Sequence, residues 1–189
     1  MDEQALIASA RAGNMHAFNT LVRTYQDIAF NVAYRVLGHA DAAADATQDA
    51  FLSAYRGLPA FRGGSFRAWL LRIVTNACYD QLRLKKRRPE TSLEDMTEDP
   101  DYTCSLIDYS QNPEEAIVRQ DLVQAIAAGI CKLPLDQRVV LVLSDVQGLS
   151  YDEIAEATGA SLGTVKSRLS RARARLRDYL TQGREPLAV

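Results

Sequence analysis

The chain has 189 residues, 47% of them hydrophobic, with 22 basic and 24 acidic side chains and a formal net charge of −2. That length holds one ordinary domain or two small ones with real cores, and the hydrophobic share excludes an intrinsically disordered chain. The longest apolar stretches, such as Val139 to Leu143, fall far short of the ~20 residues that span a bilayer, and Met1-Asp2-Glu3 opens without a basic then apolar signal, which implies a cytoplasmic protein.

Helical periodicity dominates and no strand-like alternation of useful length interrupts it, so the predicted fold class is all-α. Phe18, Leu21, Val22, Tyr25, Ile28, Ala29, Val32 and Val36 recur at spacings of three and four and line one face of a long helix. Asn14 is its cap and Gly38 its stop. A second helix is predicted from about Asp41 to Arg56, burying Ala44, Phe51, Leu52 and Tyr55. A third follows the turn Arg62-Gly63-Gly64-Ser65, with Ser65 as cap and Phe66, Trp69, Leu70, Ile73, Val74, Ala77 and Leu82 turned inward. These pieces make a first small helical domain over residues 1–88.

Residues 89–111 are acidic, lack periodicity and contain Pro100, the composition of a flexible linker. Helicity resumes at Asn112-Pro113-Glu114-Glu115, where a cap, a proline at the first helical position and first-turn acids coincide. Ile117, Leu122, Ile126 and Ile130 form its apolar stripe. After Leu133-Pro134 a further helix is expected from about Asp136 to Val146, ended by Gln147-Gly148. Residues 112–180 therefore form a second helical domain, followed by a tail over 181–189.

The strongest motif lies in that second domain. Ser150-Tyr151-Asp152-Glu153 is a capping box, in which serine hydroxyl and glutamate carboxylate satisfy each other's free backbone amides. The short helix it opens ends near Thr158. Ala155, Gly159 and Val165 then supply what a helix-turn-helix needs: a small residue where helices touch, a turn residue tolerating positive φ, and an apolar anchor on the second helix. That helix buries Val165, Leu169, Ala172 and Leu176; at 100° per residue Ser167, Ser170, Arg171 and Ala174 fall opposite, with Lys166 and Arg173 on one flank and Thr164 on the other. A helix with one apolar stripe and an acid-free face can enter a major groove without repulsion, where arginine binds guanine bidentately.

Charge is segregated along the chain. Arg62 to Arg88 holds eight basic side chains against the single acid Asp80, and Leu162 to Arg177 holds six and no acid. Between them, Pro89 to Val118 carries nine acids and no lysine or arginine. Two basic blocks flanking an acidic spacer are the electrostatic footprint of a partner with a phosphate backbone.

Catalytic and metal readings fare badly. Asp45 and Asp49 stand one helical turn apart, but no histidine, serine nucleophile or glycine-rich phosphate loop is placed to join them. Cys78, Cys104 and Cys131 are widely spaced, with only His16 and His39 as possible co-ligands, so reduced thiols without metal or cofactor are expected.

The run Leu149-Ser150-Tyr151-Asp152-Glu153-Ile154-Ala155, followed by Gly163-Thr164-Val165-Lys166-Ser167-Arg168-Leu169 and Arg171-Ala172-Arg173, resembles the −35 reading domain of extracytoplasmic-function (ECF) sigma factors of the sigma-70 family. The first domain resembles the same family through Asp45-Ala46-Thr47-Gln48-Asp49-Ala50-Phe51, Phe61-Arg62-Gly63-Gly64 and Trp69-Leu70-Leu71-Arg72-Ile73-Val74-Thr75-Asn76. The resemblance implies a non-enzymatic subunit that binds core RNA polymerase and directs it to promoter DNA.

It further implies a polymerase-docking face of Asp45, Gln48, Asp49 and Leu52, and a −10 reading and melting element of Phe61, Arg62, Gly63, Gly64, Ser65, Asn76, Arg83, Lys86 and Arg87. For −35 reading it implies Thr164, Lys166, Ser167, Ser170, Arg171 and Arg173. Ser170 stands where some members carry an aromatic. An anti-sigma factor, often membrane-bound in this family, is an implied partner. The alternative is a one-component helix-turn-helix repressor that binds duplex DNA as a dimer without polymerase.

Overall fold

The computed structural model describes residues 2–87 and 113–182, and within them the side chains of 2–84 and 122–182. Every regular element among the described residues is helical, as the periodicity predicts. The linker at 89–111, Asn112, Cys104 and the tail from 183 onward lie outside the described residues.

A first helix, α1 (Glu3–Arg11), is too short to show periodicity and was not expected. Asp2 caps it, Ile7 and Ala10 are buried, and the Tyr25 hydroxyl donates to the Glu3 carboxylate at 2.6 Å. The long helix α2 (Met15–Leu37) begins where expected, because the Asn14 side chain accepts from the amides of His16 and Ala17 at 3.0 and 3.2 Å. Gly38 closes it.

The next helix, α3 (Ala40–Gly57), corrects the expected face. Its buried residues are Ala43, Ala46, Ala50 and Ala54, whereas Ala44 is exposed, Phe51 half-buried, Leu52 49% exposed and Tyr55 39% exposed. Small side chains at that spacing let the helix backbone approach α2 closely, and there is no room on that face for larger ones. The large apolar groups therefore sit at the rim, where Tyr55 packs edge-on against Phe18 at 5.0 Å. A 3₁₀ turn (Leu58–Ala60) and the loop 61–65 lead into α4 (Phe66–Arg87), whose residues Phe66, Leu70, Leu71, Val74 and Cys78 are buried against α2 and α3. Burial pushes the Cys78 thiol up to about 12, which leaves it protonated and inert.

In the second half, α5 (Pro113–Cys131) buries Ala127 and Ile130, but Leu122 is 45% exposed rather than part of an inward stripe; Ile117 lies outside the described side chains. Helix α6 (Leu135–Leu141) passes into a π-helical turn (Val142–Val146), in which the Gln147 amide reaches back five residues to the Val142 carbonyl at 3.0 Å. The helix-turn-helix follows as α7 (Tyr151–Thr158) and α8 (Leu162–Gln182). Gly129 is where α5 meets α8: a Cβ there would lie 2.6 Å from Leu176 Cδ1 and 2.7 Å from Tyr179 Cδ1.

The capping box is formed, with the Ser150 amide donating to the Glu153 carboxylate at 2.8 Å and the Glu153 amide donating to Ser150 Oγ at 3.3 Å. Ser150→Ala is expected to cost about 0.5–2 kcal/mol, read as a lower denaturation midpoint with unchanged slope.

The two halves do not stand apart. Their buried residues form one contiguous core, and α4 packs on α7. Arg67 Nη2 donates to the largely buried Gln147 Oε1 at 2.7 Å. The Arg138 guanidinium donates to the Val36 carbonyl at 2.7 Å and to the carbonyls of Leu133 and Cys131, so one side chain satisfies the C-terminal ends of α2 and α5.

Candidate nucleic-acid interface

The loop before α4 is shaped by its glycines. Gly63 and Gly64 take φ of 98° and 88°, a region closed to most L-residues, and an added Cβ on either would meet nothing within 4 Å. The backbone there is bare and open. Ser65 Oγ accepts the Ala68 amide at 3.1 Å, fixing the start of the helix.

Beneath the loop an aromatic cluster holds its shape. Phe61 and Phe66 are buried and meet edge-on at 5.9 Å, and Trp69 contacts both at 5.1 and 5.4 Å. Phe61 thus supports the loop from below. Above it lies a cavity of about 570 Å³ lined by Phe61 to Ser65, Trp69 and Arg72 together with Glu153 and Glu156 of α7. Asn76 is exposed but does not line it; eleven residues past Ser65 at ~1.5 Å each, it stands about 16 Å further along α4. Arg83 is exposed and paired with Asp80 at 3.1 Å, while Lys86 and Arg87 lie outside the described side chains.

On α3, Asp45, Gln48, Asp49 and Leu52 are all exposed, and their spacing puts them on one helix face. The alanine face opposite holds this presentation in place. On this face an exposed leucine stands beside three exposed polar side chains.

On α8, Val165, Leu169 and Ala172 are buried, and Gly159 ends α7 at φ 65° so that the two helices can cross. The opposite face is open, with Lys166, Ser167, Ser170 and Arg171 exposed and Thr164 half-buried at its edge. Ser161 Oγ accepts the Thr164 amide at 3.2 Å, capping the N-terminal end of α8. The Arg171 side chain folds back on its own helix, donating to the Ser167 carbonyl and to Ser167 Oγ, each at 3.2 Å. Arg173 is exposed too, but donates bidentately to Asp145 at 2.9 and 2.6 Å. Spacing alone carried no sign of that pair, because Asp145 reaches α8 by way of the π turn.

Comparison with known proteins points one way. The Sigma-70 region 2 family model matches residues 21–88, and the Sigma-70, region 4 model matches residues 124–176. The chain is 36% identical over 175 residues to the ECF RNA polymerase sigma-E factor of Escherichia coli K12, covering 92% of this chain and 91% of that protein. It is 37% identical over 168 residues to the ECF RNA polymerase sigma factor SigE of Mycolicibacterium smegmatis, covering 89% of this chain and 63% of that longer relative.

Among solved structures, it superposes on sigma factor RpoE in complex with the anti-sigma factor NepR from Bartonella quintana, with a TM-score of 0.70 and 27% identity over 88% of this chain and 98% of that one. CnrH in complex with the cytosolic domain of CnrY gives 0.65 and 30% identity over 96% and 99% of the two chains. The alternative of a one-component helix-turn-helix repressor acting as a dimer without polymerase is not supported, since both halves match sigma regions in order. With an open basic helix in one half, a bare-backbone loop in the other and these relatives along nearly its whole length, the chain belongs to the ECF sigma factors of the sigma-70 family, which direct RNA polymerase to promoters.

Proposed function

We propose that the labour of promoter recognition is divided along the chain, with residues 1–88 docking on core polymerase and opening the −10 element and residues 112–180 reading the −35 element. Asp45, Gln48, Asp49 and Leu52 form the polymerase contact. Arg62 to Ser65 and the cavity they line capture an unpaired base, which offsets the few kcal/mol that unstacking costs. Asn76 reads a neighbouring nucleotide further along α4, and Arg83, Lys86 and Arg87 neutralise phosphates without specifying sequence. Phe61 serves the loop by packing under it.

The observation that carries the −35 assignment is the face of α8, where Lys166, Ser167, Ser170 and Arg171 stand exposed opposite a fully buried stripe. No metal or cofactor enters this reading, and the chain acts as a binding subunit rather than a catalyst. It works in the cytoplasm, at the nucleoid when active. Because RpoE and CnrH were solved with NepR and CnrY, an anti-sigma factor is proposed as a second protein partner.

The test uses holoenzyme and a −35 duplex selected from a randomised library with the wild-type chain. Arg171→Ala is expected to lose about 1–3 kcal/mol of discrimination between the selected and a scrambled duplex. Arg175→Ala, on the flank, is expected to weaken both duplexes alike and to lower the salt slope by about one. Equal weakening of both duplexes by Arg171→Ala contradicts its assignment to base reading.

A further inference from the structure

Six basic residues lie between Leu162 and Arg177, yet two of them are already engaged within the fold. Arg173 is bidentate to Asp145 in the π turn, and Arg168 Nε lies 3.0 Å from Asp136 at the start of α6. At 100° per residue Arg168 and Arg173 fall on opposite edges of the stripe formed by Val165, Leu169 and Ala172, roughly 70° to either side of its centre. One pair alone would pin a point on α8. Two pairs, one on each edge, pin its rotation about its own axis.

We propose that Arg173 and Asp145, with Arg168 and Asp136 as the second strut, are positioning residues that set the rotation of the recognition helix, and that Arg173 is not itself a DNA ligand. This rests on the reading of α8 as the −35 helix. Rotation matters because side-chain tips lie ~5–6 Å from the helix axis, so a turn of 20° swings them by about 2 Å. Bidentate reading of a base edge does not survive such a displacement.

The π turn is part of the same device. Its extra residue per turn brings Asp145 round to α8. One arginine therefore joins the π turn to the second helix of the helix-turn-helix. The electrostatics agree: the hydrogen bonds that Arg173 donates hold the Asp145 carboxyl below the usual carboxylate range, and the same bonds raise the guanidinium above its own. A carboxylate whose folded value is depressed contributes fully at neutral pH, and that contribution is lost only as pH falls through the depressed value. The strut is thus intact at neutral pH.

The two possible roles of Arg173 predict opposite signs for a change at Asp145. Were Arg173 a phosphate ligand held in reserve, Asp145→Ala would release it and tighten DNA binding. As a positioning pair, Asp145→Ala and Arg173→Ala should both weaken the selected −35 duplex. In holoenzyme, each alanine variant is expected to lower the ratio of selected to scrambled affinity about tenfold while leaving the salt slope of scrambled binding unchanged.

Tighter binding by Asp145→Ala to both duplexes, with a salt slope steeper by about one, overturns the proposal. So does an unchanged ratio accompanied only by a lower melting temperature, which is what a purely stabilising ion pair predicts. If either alanine variant is unfolded at the assay temperature, the double exchange Asp145→Arg with Arg173→Asp carries the test. It is expected to keep the ratio within about threefold of wild type, and a tenfold loss overturns the proposal. Failure of the wild-type holoenzyme to enrich any −35 sequence would instead remove the underlying reading of α8, a result distinguishable from all of these.

Discussion

Phe66→Ala is expected to destabilise the protein by about 3–5 kcal/mol, the largest loss foreseen for any single side chain described above. Phe66 is 1% exposed and touches three other rings, with centroid distances of 5.3 Å to Tyr25, 5.9 Å to Phe61 and 5.4 Å to Trp69. Removing it takes away the burial of one aromatic side chain and leaves a void whose walls are other rigid rings, which cannot collapse to fill it. It is also the first residue of α4, directly after the Gly63-Gly64 loop, so the loop should lose its floor together with the core. Chemical denaturation of the full chain measures the first effect. A loss below about 1.5 kcal/mol would mean that the aromatic cluster is loosely packed and does not fix the loop.

The second large effect is expected at the docking face. Asp49→Arg places a cation on an exposed surface built of acceptors and is expected to lower affinity for core polymerase on the order of 10²-fold, because like charges brought together at an interface cost several kcal/mol. Asp49 is exposed, and no hydrogen bond or ion pair within the described fold depends on it, so the melting temperature should stay within a degree or two of wild type. Equilibrium binding of labelled chain to core polymerase, with circular dichroism melting alongside, separates the two readouts. Unchanged assembly takes this face of α3 out of the interface.

Legibility in the sequence followed from how local each feature is. The ends of α2, the capping box of α7 and the buried stripe of α8 are set by residues within a turn or two of each other, and all three stand where spacing predicted. The face of α3 was misjudged because periodicity weights large apolar residues. Its core contact is made by alanines, and Leu52 and Tyr55 were assigned inward although the surface claims them. The stripe of α5 drifted in the same way at Leu122.

What stayed hidden needs long-range geometry. The π turn at Val142–Val146 has no sequence signature in apolar spacing, and with it the Arg173–Asp145 pair, 28 residues apart in the chain, went unseen. The contacts of Arg67 with Gln147 and of Arg138 with the Val36 carbonyl join residues 80 and 102 positions apart. A chain read as two domains on a linker gives no reason to look for them.

The measurement that tests the central claim most directly is transcription in vitro from a library of promoter fragments, using core RNA polymerase with and without the purified chain. Added chain should produce discrete transcripts whose start sites share two upstream elements, and the chain alone should retain none of these fragments in a gel shift. Transcripts that do not depend on the chain, together with specific duplex retention by the chain as a dimer in the absence of polymerase, would contradict it.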